Sequence, residues 1–152
     1  MGTHVPLVVR WKGQPDAGRV LPDLIDFTDF YATFAEAAGQ EGTEDGRSFL
    51  PQLQGEAGDP RDWMLCHYQP YWNKEGRQFV RTADFKLYRD GQMYEVPVDL
   101  DEKDDLAAAE DPRTSEARRL LREVLERCPP VVEGKPDKSA EERPVYPEWD
   151  GL

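Results

Sequence analysis

Apolar side chains follow two different periods along the chain. Residues 5–11 are rich in Val, Leu and Trp and end at a Lys-Gly-Gln-Pro turn, which predicts a buried β-strand. Further on, five apolar residues share the spacing of one helical face: Phe27, Phe30, Tyr31, Phe34 and Ala38. Asp26 or Thr28 can cap the start of this helix and Gly39 can end it.

From residue 63 the period changes to that of β-structure. Four short segments alternate in the way that strands do: residues 63–68, 78–82, 85–89 and 92–96. Asp90-Gly91 joins the last two segments, and both residue types tolerate the positive φ of a type I′ turn. We therefore expect an antiparallel meander.

A second amphipathic helix follows the predicted sheet. Its apolar stripe consists of Ala117, Leu120, Leu121, Val124, Leu125 and Cys128. Thr114 or Ser115 can cap its start, and the Pro129-Pro130 pair ends it. Residues 129–152 are rich in Pro, Glu and Lys, so we expect an extended tail there.

These elements predict an α+β fold, in which a small antiparallel sheet is packed by a C-terminal helix and preceded by a strand-helix segment. The expected organisation is a segment at 1–60, a sheet subdomain at 61–128 and a tail at 129–152. Standing alone, the first segment would leave strand edges and an aromatic helix face without partners. That arrangement predicts marginal stability or self-association.

The net charge of the chain argues against one class of function, nucleic-acid binding. The chain has 31 acidic and 19 basic residues and a net charge of −12, so it would repel a phosphate backbone, and we expect no nucleic-acid partner. The sequence contains no apolar stretch of membrane-spanning length, and its first residues lack the basic start, apolar middle and small-residue cleavage site typical of a signal peptide. As written, the chain is expected in the cytoplasm, without a membrane partner.

The two cysteines are far apart in the sequence and form no C-x-x-C motif. We expect Cys66 and Cys128 to be small buried apolar residues rather than a disulfide.

Several motifs in order resemble one family. They are Gly-Thr-His-Val-Pro-Leu-Val-Val at 2–9, Asp-Phe-Thr-Asp-Phe-Tyr-Ala-Thr-Phe-Ala-Glu-Ala-Ala-Gly at 26–39, Asp-Gly-Arg-Ser-Phe-Leu-Pro-Gln-Leu-Gln-Gly at 45–55, Arg-Thr-Ala-Asp-Phe-Lys-Leu-Tyr at 81–88 and Met-Tyr-Glu-Val at 93–96. This series is similar to the post-active-site half of type I sulfatases, the arylsulfatase branch of the alkaline phosphatase superfamily. Residues 99–106 match the family's Asp-Pro-x-Glu-x-x-Asn-Leu motif only in part.

The resemblance implies a C-terminal fragment of a sulfuric ester hydrolase, with residues 1–60 matching the end of the family's N-terminal α/β domain. In the complete enzyme, a formylglycine made from a C/S-x-P-x-R motif attacks sulfur while calcium steadies the sulfate. Here Cys66 is followed by His-Tyr-Gln, and the metal-binding Asp pair is absent. We therefore expect no cofactor in this chain and no activity of the chain alone.

Two histidines are the candidate substrate-binding residues. His67 ends a predicted strand beside Tyr68, Tyr71 and Trp72, where the family's C-terminal sheet borders the substrate pocket. His4 sits where the family's strand leaves the active site. His4 can instead be a strand-end histidine satisfied by the backbone, and His67 can instead be a packed core histidine. Neither is expected to bind a metal.

Three other groups have simpler interpretations. The acidic residues of 99–105 lack the spacing of an EF-hand and indicate a solvated loop. Aromatic residues between strands usually pack. Arg77, Arg81 and Arg89 could bind a sulfated or carboxylated ligand, but they are more typical of the solvent face of a sheet.

The expected function is thus a sulfatase fragment from a truncated, split or fragmentary reading frame. Its parent would act on sulfated carbohydrate or aryl sulfate and could be periplasmic or secreted. The alternatives are a non-catalytic binding module that uses the surface at residues 68–72, and a fragment of a phosphoesterase of the same superfamily.

Overall fold

A computed structural model of the chain describes residues 5–12, 18–41, 45–68 and 76–128. His4, Tyr71, Trp72 and the predicted tail at 129–152 lie outside the described residues. The domain boundaries at 60 and 128 stay predictions.

The predicted aromatic helix is present as α1, Thr28–Ala37. Its start has a reciprocal arrangement, because Asp26 Oδ1 accepts the backbone N–H of Thr28 at 2.9 Å and Asp29 Oδ2 accepts that of Asp26 at 2.8 Å. Its end is closed by Gly39, whose φ is +72°, with the next N–H donating to the carbonyl of Ala35 at 2.8 Å. Both the helix and its stop at Gly39 are confirmed.

The buried side of α1 is not its aromatic side. Asp29, Ala32 and Thr33 are buried, whereas Phe27, with an exposed fraction of 83%, leads the exposed aromatic side chains. The exposed aromatic residues of the helix are Phe27, Tyr31 and Phe34. Within the described residues, this aromatic side of α1 is therefore largely uncovered, and Phe30 is half-buried against Phe49.

A short helix, α2 at Leu50–Gln54, follows α1 and packs against it. Pro51 stands in its first turn, where the missing N–H costs no helical hydrogen bond. Gly55 ends it with a φ of +92°.

Residues 5–11 do not form the predicted strand. The run lies outside any helix or strand and is exposed, with 89% of Val8 accessible. A strand needs a neighbour to satisfy its backbone N–H and C=O groups, and no described strand pairs with this run. The expectation of a buried strand is therefore wrong for this chain.

The predicted meander is confirmed as an open sheet in the order β1-β2-β3-β4. The strands are Met64–Tyr68, Arg77–Arg81, Phe85–Tyr88 and Met93–Glu95, and every neighbouring pair is antiparallel. Alternation then divides the strand residues between two faces. The helix face carries Leu65, His67, Gln78, Val80, Phe85, Leu87, Met93 and Glu95, and the aromatic face carries Met64, Cys66, Tyr68, Arg77, Phe79, Arg81, Lys86, Tyr88 and Tyr94.

The turn between β3 and β4 differs from the predicted type I′. Gly91 has a φ of +100°, but Asp90 does not adopt positive φ. The N–H of Gly91 donates to Tyr88 O at 3.0 Å, and the N–H of Tyr88 donates to Gln92 O at 2.9 Å. This is a three-residue connection in which only the glycine is left-handed, so Asp90 avoids the steric cost of positive φ.

Helix α3, Pro112–Arg127, covers the helix face of the sheet. It begins before the predicted Thr114 or Ser115, because the side chain of Asp111 accepts the N–H of Thr114 at 3.0 Å and Pro112 fits the first turn. The core between helix and sheet consists of Val80, Phe85, Leu87, Met93, Leu121, Val124 and Leu125.

Cys66 and Cys128 are free, as predicted, but they are half-buried rather than buried. Cys66 packs on the aromatic face, whereas Cys128 packs against the core on the opposite face. The sheet therefore lies between the two thiols.

Candidate functional site

His67 lies on edge strand β1 and is exposed. Its register partner on β2 is Gln78, which shares the helix face with it. Among the described elements, helix α3 packs mainly on β2 and β3. Because His67 is exposed, its ring is not packed into the described core. The interpretation of His67 as a core histidine therefore does not hold.

A shallow groove of about 340 Å³ lies further along the helix face. The β3–β4 turn and one side of α3 line it: Leu87, Tyr88, Arg89, Asp90, Gly91, Arg122, Leu125 and Glu126. Arg89 is already engaged there, since it donates to Leu125 O at 2.7 Å and Cys128 O at 3.1 Å. A cation at the last carbonyls stabilises a helix end, so Arg89 has a structural role.

An ion pair between Asp29 and Arg61 forms the centre of a polar network around α1. Only 1% of Asp29 is accessible. Its carboxylate accepts Arg61 Nε at 2.7 Å and is also bonded to Arg61 Nη2. The backbone N–H of Arg47 adds a further hydrogen bond at 2.7 Å. One carboxylate thereby holds α1, the loop after it and the residue that leads into β1.

Two further contacts lock the same region. Thr33 Oγ1 donates to Asp29 O at 2.7 Å and accepts the N–H of Phe49 at 3.0 Å. Gly46 lies so close to α1 that an added Cβ would stand 2.3 Å from Thr28 O. The Asp-Gly-Arg-Ser-Phe stretch is therefore shaped to dock on α1.

The pKa of Asp29 reflects this environment. Burial pushes the pKa of the carboxyl upward, but the hydrogen bonds from Arg61 and from two backbone N–H groups outweigh burial and lower the pKa overall. The stability that this group contributes is thus present at neutral pH and is lost as the pH falls through its lowered pKa.

A second charged pair lies on the aromatic face. The ammonium of Lys86 stands 3.9 Å from the ring centroid of Phe79 and 4.5 Å from that of Tyr88. Glu102 binds both the Lys86 ammonium and, at 2.8 Å, the hydroxyl of Tyr88. The loop places Glu102 there with a φ of 56°, in the left-handed region. This lysine is therefore neutralised and not free for a ligand.

The three candidate arginines have different environments. Arg77 is exposed, with its guanidinium 5.6 Å from the ring centroid of Tyr88. Arg89 caps α3. Arg81, by contrast, is buried on the aromatic face with an exposed fraction of 9%, so the expectation that it belongs to a solvent face is wrong.

Carboxylates of the acidic loop at 99–105 accept hydrogen bonds from nearby backbone N–H groups. Asp99 accepts the backbone N–H groups of Lys103 and Asp104 at 3.0 and 2.9 Å. Asp105 accepts the N–H of Met93 at 3.0 Å and so fastens the loop to β4. Within the described ranges, no group of three His, Cys, Asp or Glu side chains is placed to hold a metal ion. These residues do not fit the calcium that the resemblance implies for the complete enzyme.

Of the two predicted site residues, only His67 can be placed. The residues that the sequence pattern did not single out are Asp29, Arg61 and Glu102. A signal existed for Asp29, because an acidic residue three positions after Asp26 suits a capping box. Nothing local marks Arg61 or Glu102, since their partners lie 32 and 16 positions away.

Comparison with known proteins identifies the relatives of this arrangement. No family model matches the sequence. The chain is 32% identical over 110 residues to the N-acetylglucosamine-6-O-sulfatase of Bacteroides thetaiotaomicron, a match that covers 63% of this chain and 20% of the relative. It is 45% identical over 102 residues to the ulvan-active sulfatase of Formosa agariphila, with the same shares covered.

A solved structure is similar as well. It is a complex of a protein with its substrate, D-glucosamine-2-N,6-O-disulfate, and it matches with a TM-score of 0.53 and 28% identity over 64% of this chain and 23% of that one. The fold is thus the α+β arrangement of sulfatases. The chain is similar to sulfatases over about 63% of its length, and it spans about a fifth of the length of the curated relatives it matches.

None of the helices in the described ranges is long and apolar enough to cross a bilayer.

The Asp29–Arg61 pair gives a pH-dependent prediction. Asp29→Asn should destabilise the chain by about 3–5 kcal/mol at pH 7, because it leaves the Arg61 guanidinium buried without its counter-charge. Urea unfolding at pH 7 and pH 3 measures this. The wild type should lose stability at pH 3, and the variant should lose less.

Asp59→Asn is the matched control. Its carboxylate lies 3.4 Å from Arg47, and 86% of its side chain is accessible. An exposed pair contributes at most about 1 kcal/mol, so this variant should resemble the wild type at both pH values. Equal losses in the two variants would contradict the assignment of Asp29 as a stabilising centre.

Proposed function

We propose that this chain contributes the C-terminal sheet subdomain of a sulfatase that hydrolyses sulfate esters of carbohydrates. The supporting observation is the agreement among relatives: one is named for a 6-O-sulfated sugar, one for ulvan, and the similar solved structure holds a disulfated glucosamine. An aryl sulfate is the second substrate class that fits the family.

In this proposal the chain forms part of the scaffold and one edge of the substrate pocket of a sulfatase. It does not contain the catalytic centre. The resemblance assigns the reaction to a formylglycine and a calcium ion, and the described residues provide neither the nucleophile motif nor a metal cluster. Those groups would come from the rest of the sulfatase polypeptide. The chain alone is proposed to be inactive.

The exposed apolar surface supports the proposal that this chain contacts the remaining part of a sulfatase. The exposed aromatic side of α1 and the exposed run at 5–11 present large apolar side chains to solvent. Apolar patches of this kind usually mark contacts with other protein surfaces. We propose that they meet the remaining part of a sulfatase, and that self-association occurs when this part is missing.

His67 is the proposed substrate-facing residue. It is exposed on β1, an edge strand of the described sheet, and the imidazole can donate or accept a hydrogen bond to a sugar hydroxyl or sulfate oxygen. The proposal for His4 rests on the family pattern alone.

Two other functions stay as alternatives. A free-standing binding module would use the exposed Tyr68. A phosphoesterase of the same superfamily is the weaker alternative, because the relatives given above are sulfatases.

A chimaera tests the proposed function. The 102-residue stretch of the ulvan-active sulfatase that matches this chain would be replaced by the corresponding residues of this chain. We expect desulfation within about a hundredfold of the parent, since small errors of placement reduce rates on that scale. The parent enzyme without that stretch is the control, and the 152-residue chain alone should release no sulfate. An inactive but folded chimaera, or turnover by the chain alone, would contradict the proposal.

His67→Ala in the same chimaera tests the assigned residue. Loss of one hydrogen bond to substrate should raise KM about fivefold with little change in kcat. Tyr68→Phe, which alters the adjacent exposed residue on the opposite face, should leave KM unchanged. Identical kinetics for His67→Ala and the unmodified chimaera would remove His67 from the substrate border.

A further inference from the structure

Arg81 occupies an unusual position for a cation. It lies on the aromatic face of the sheet, in register with Met64 on β1 and Lys86 on β3. Its exposed fraction is 9%, whereas Arg77, four residues earlier on the same face, is exposed. A charged side chain at this depth is normally paired with an opposite charge.

No described residue supplies that opposite charge. The hydrogen bond of Arg81 runs from Nε to the backbone carbonyl of Thr82 at 3.1 Å, and no described carboxylate lies within 4.0 Å of its guanidinium nitrogens. The neighbouring acids are engaged, Glu102 with Lys86 and Asp84 with Arg113. Burial without compensation also lowers the pKa of Arg81.

The outer nitrogens of Arg81 are nevertheless reachable. Among the described residues, the fully buried side-chain nitrogen and oxygen atoms without a hydrogen bond are Gln52 Oε1 and Arg118 Nε. The two Nη atoms of Arg81 also lack an acceptor but are not in that group, so they retain contact with solvent. The Arg81 side chain is thus fixed by the burial of its aliphatic part and by one hydrogen bond from Nε, while the N–H groups of its two Nη atoms have no acceptor.

The charge of the surrounding face favours an anion. The strand residues of the aromatic face include three cations, Arg77, Arg81 and Lys86, and no acid. Of the nearby acids, Glu102 pairs with Lys86, whereas Asp90, Asp99 and Asp105 act on Tyr94 of edge strand β4. This local excess of positive charge occurs in a chain whose net charge is −12. Acidic residues are abundant in the sequence, yet the described fold brings none to Arg81.

We propose that Arg81 is an oxyanion-binding residue that takes a carboxylate or a sulfate group on its open Nη atoms. The planar guanidinium offers two parallel N–H donors, which match two oxygens of such a group. Lys86 flanks the site but stays with Glu102. This site lies on the aromatic face, opposite to the face that carries His67, so it is separate from the proposed substrate border.

Nuclear magnetic resonance on the 152-residue chain tests the proposal. The Nε–Hε signal of Arg81, assigned by its loss in Arg81→Met, would be followed during titration with sodium sulfate and, separately, sodium acetate. Sodium chloride at equal ionic strength is the reference. We expect saturable shifts of the Arg81 signal with at least one oxyanion and a small, linear response with chloride. The two titrations distinguish a preference for sulfate from one for carboxylate.

Variants identify the residue responsible. Arg81→Met should fold, because replacing a buried unpaired charge by an apolar side chain is often neutral or stabilising. It should weaken oxyanion affinity about tenfold or more, measured from the saturable shifts of neighbouring backbone amides. Arg77→Met, on the same strand and face, should keep the wild-type affinity.

Two results would overturn the proposal. One is the absence of any saturable shift at Arg81 with either oxyanion. The other is unchanged affinity in Arg81→Met. The wild-type titration decides the question even if the variant fails to fold.

Discussion

The architecture depends on the burial of one carboxylate. An ionised carboxyl group can leave water only if its oxygens are bonded by donors, and Asp29 obtains those donors from three separate parts of the chain. They are its own helix start, the backbone of Arg47 and the guanidinium of Arg61. Meeting this requirement fixes where the loop crosses α1, and it explains the close approach of Gly46 to Thr28. Because Arg61 lies just before β1, the same carboxylate ties the helical segment to the start of the sheet.

On the aromatic face of the sheet, two buried cations likewise need an opposite charge, but only one of them has it. Lys86 is buried among rings but has Glu102 as its counter-charge. Arg81 is buried beside it without one. The chain spans about a fifth of the sulfatases it matches, and its exposed apolar run and aromatic helix side are also without partners in the described fold. Unmet charge and unmet apolar surface therefore both support the proposal that this chain works as part of a larger sulfatase.

Alternation and helical spacing predicted the sheet and α3 because these elements bury residues against each other within a short stretch of sequence. The Asp90-Gly91 hairpin was located correctly, although its backbone differs, since a glycine alone can carry the positive φ that the connection needs. The run at 5–11 was wrongly predicted as a buried strand, because apolar composition does not show whether a partner strand is present. Long-range charge pairs could not be predicted for a similar reason. The link from Asp29 to Arg61 spans 32 positions and exists only once the chain has folded.

One buried ion pair, between Asp29 and Arg61, joins the helical segment to the sheet. A double-mutant cycle tests it most directly, with the free energy of unfolding measured for the wild type, Asp29→Ala, Arg61→Ala and the double variant. Each single change should be strongly destabilising, and the double change should cost less than their sum, with a coupling energy of about 1–3 kcal/mol. Additive effects, agreeing within about 0.5 kcal/mol, would contradict it.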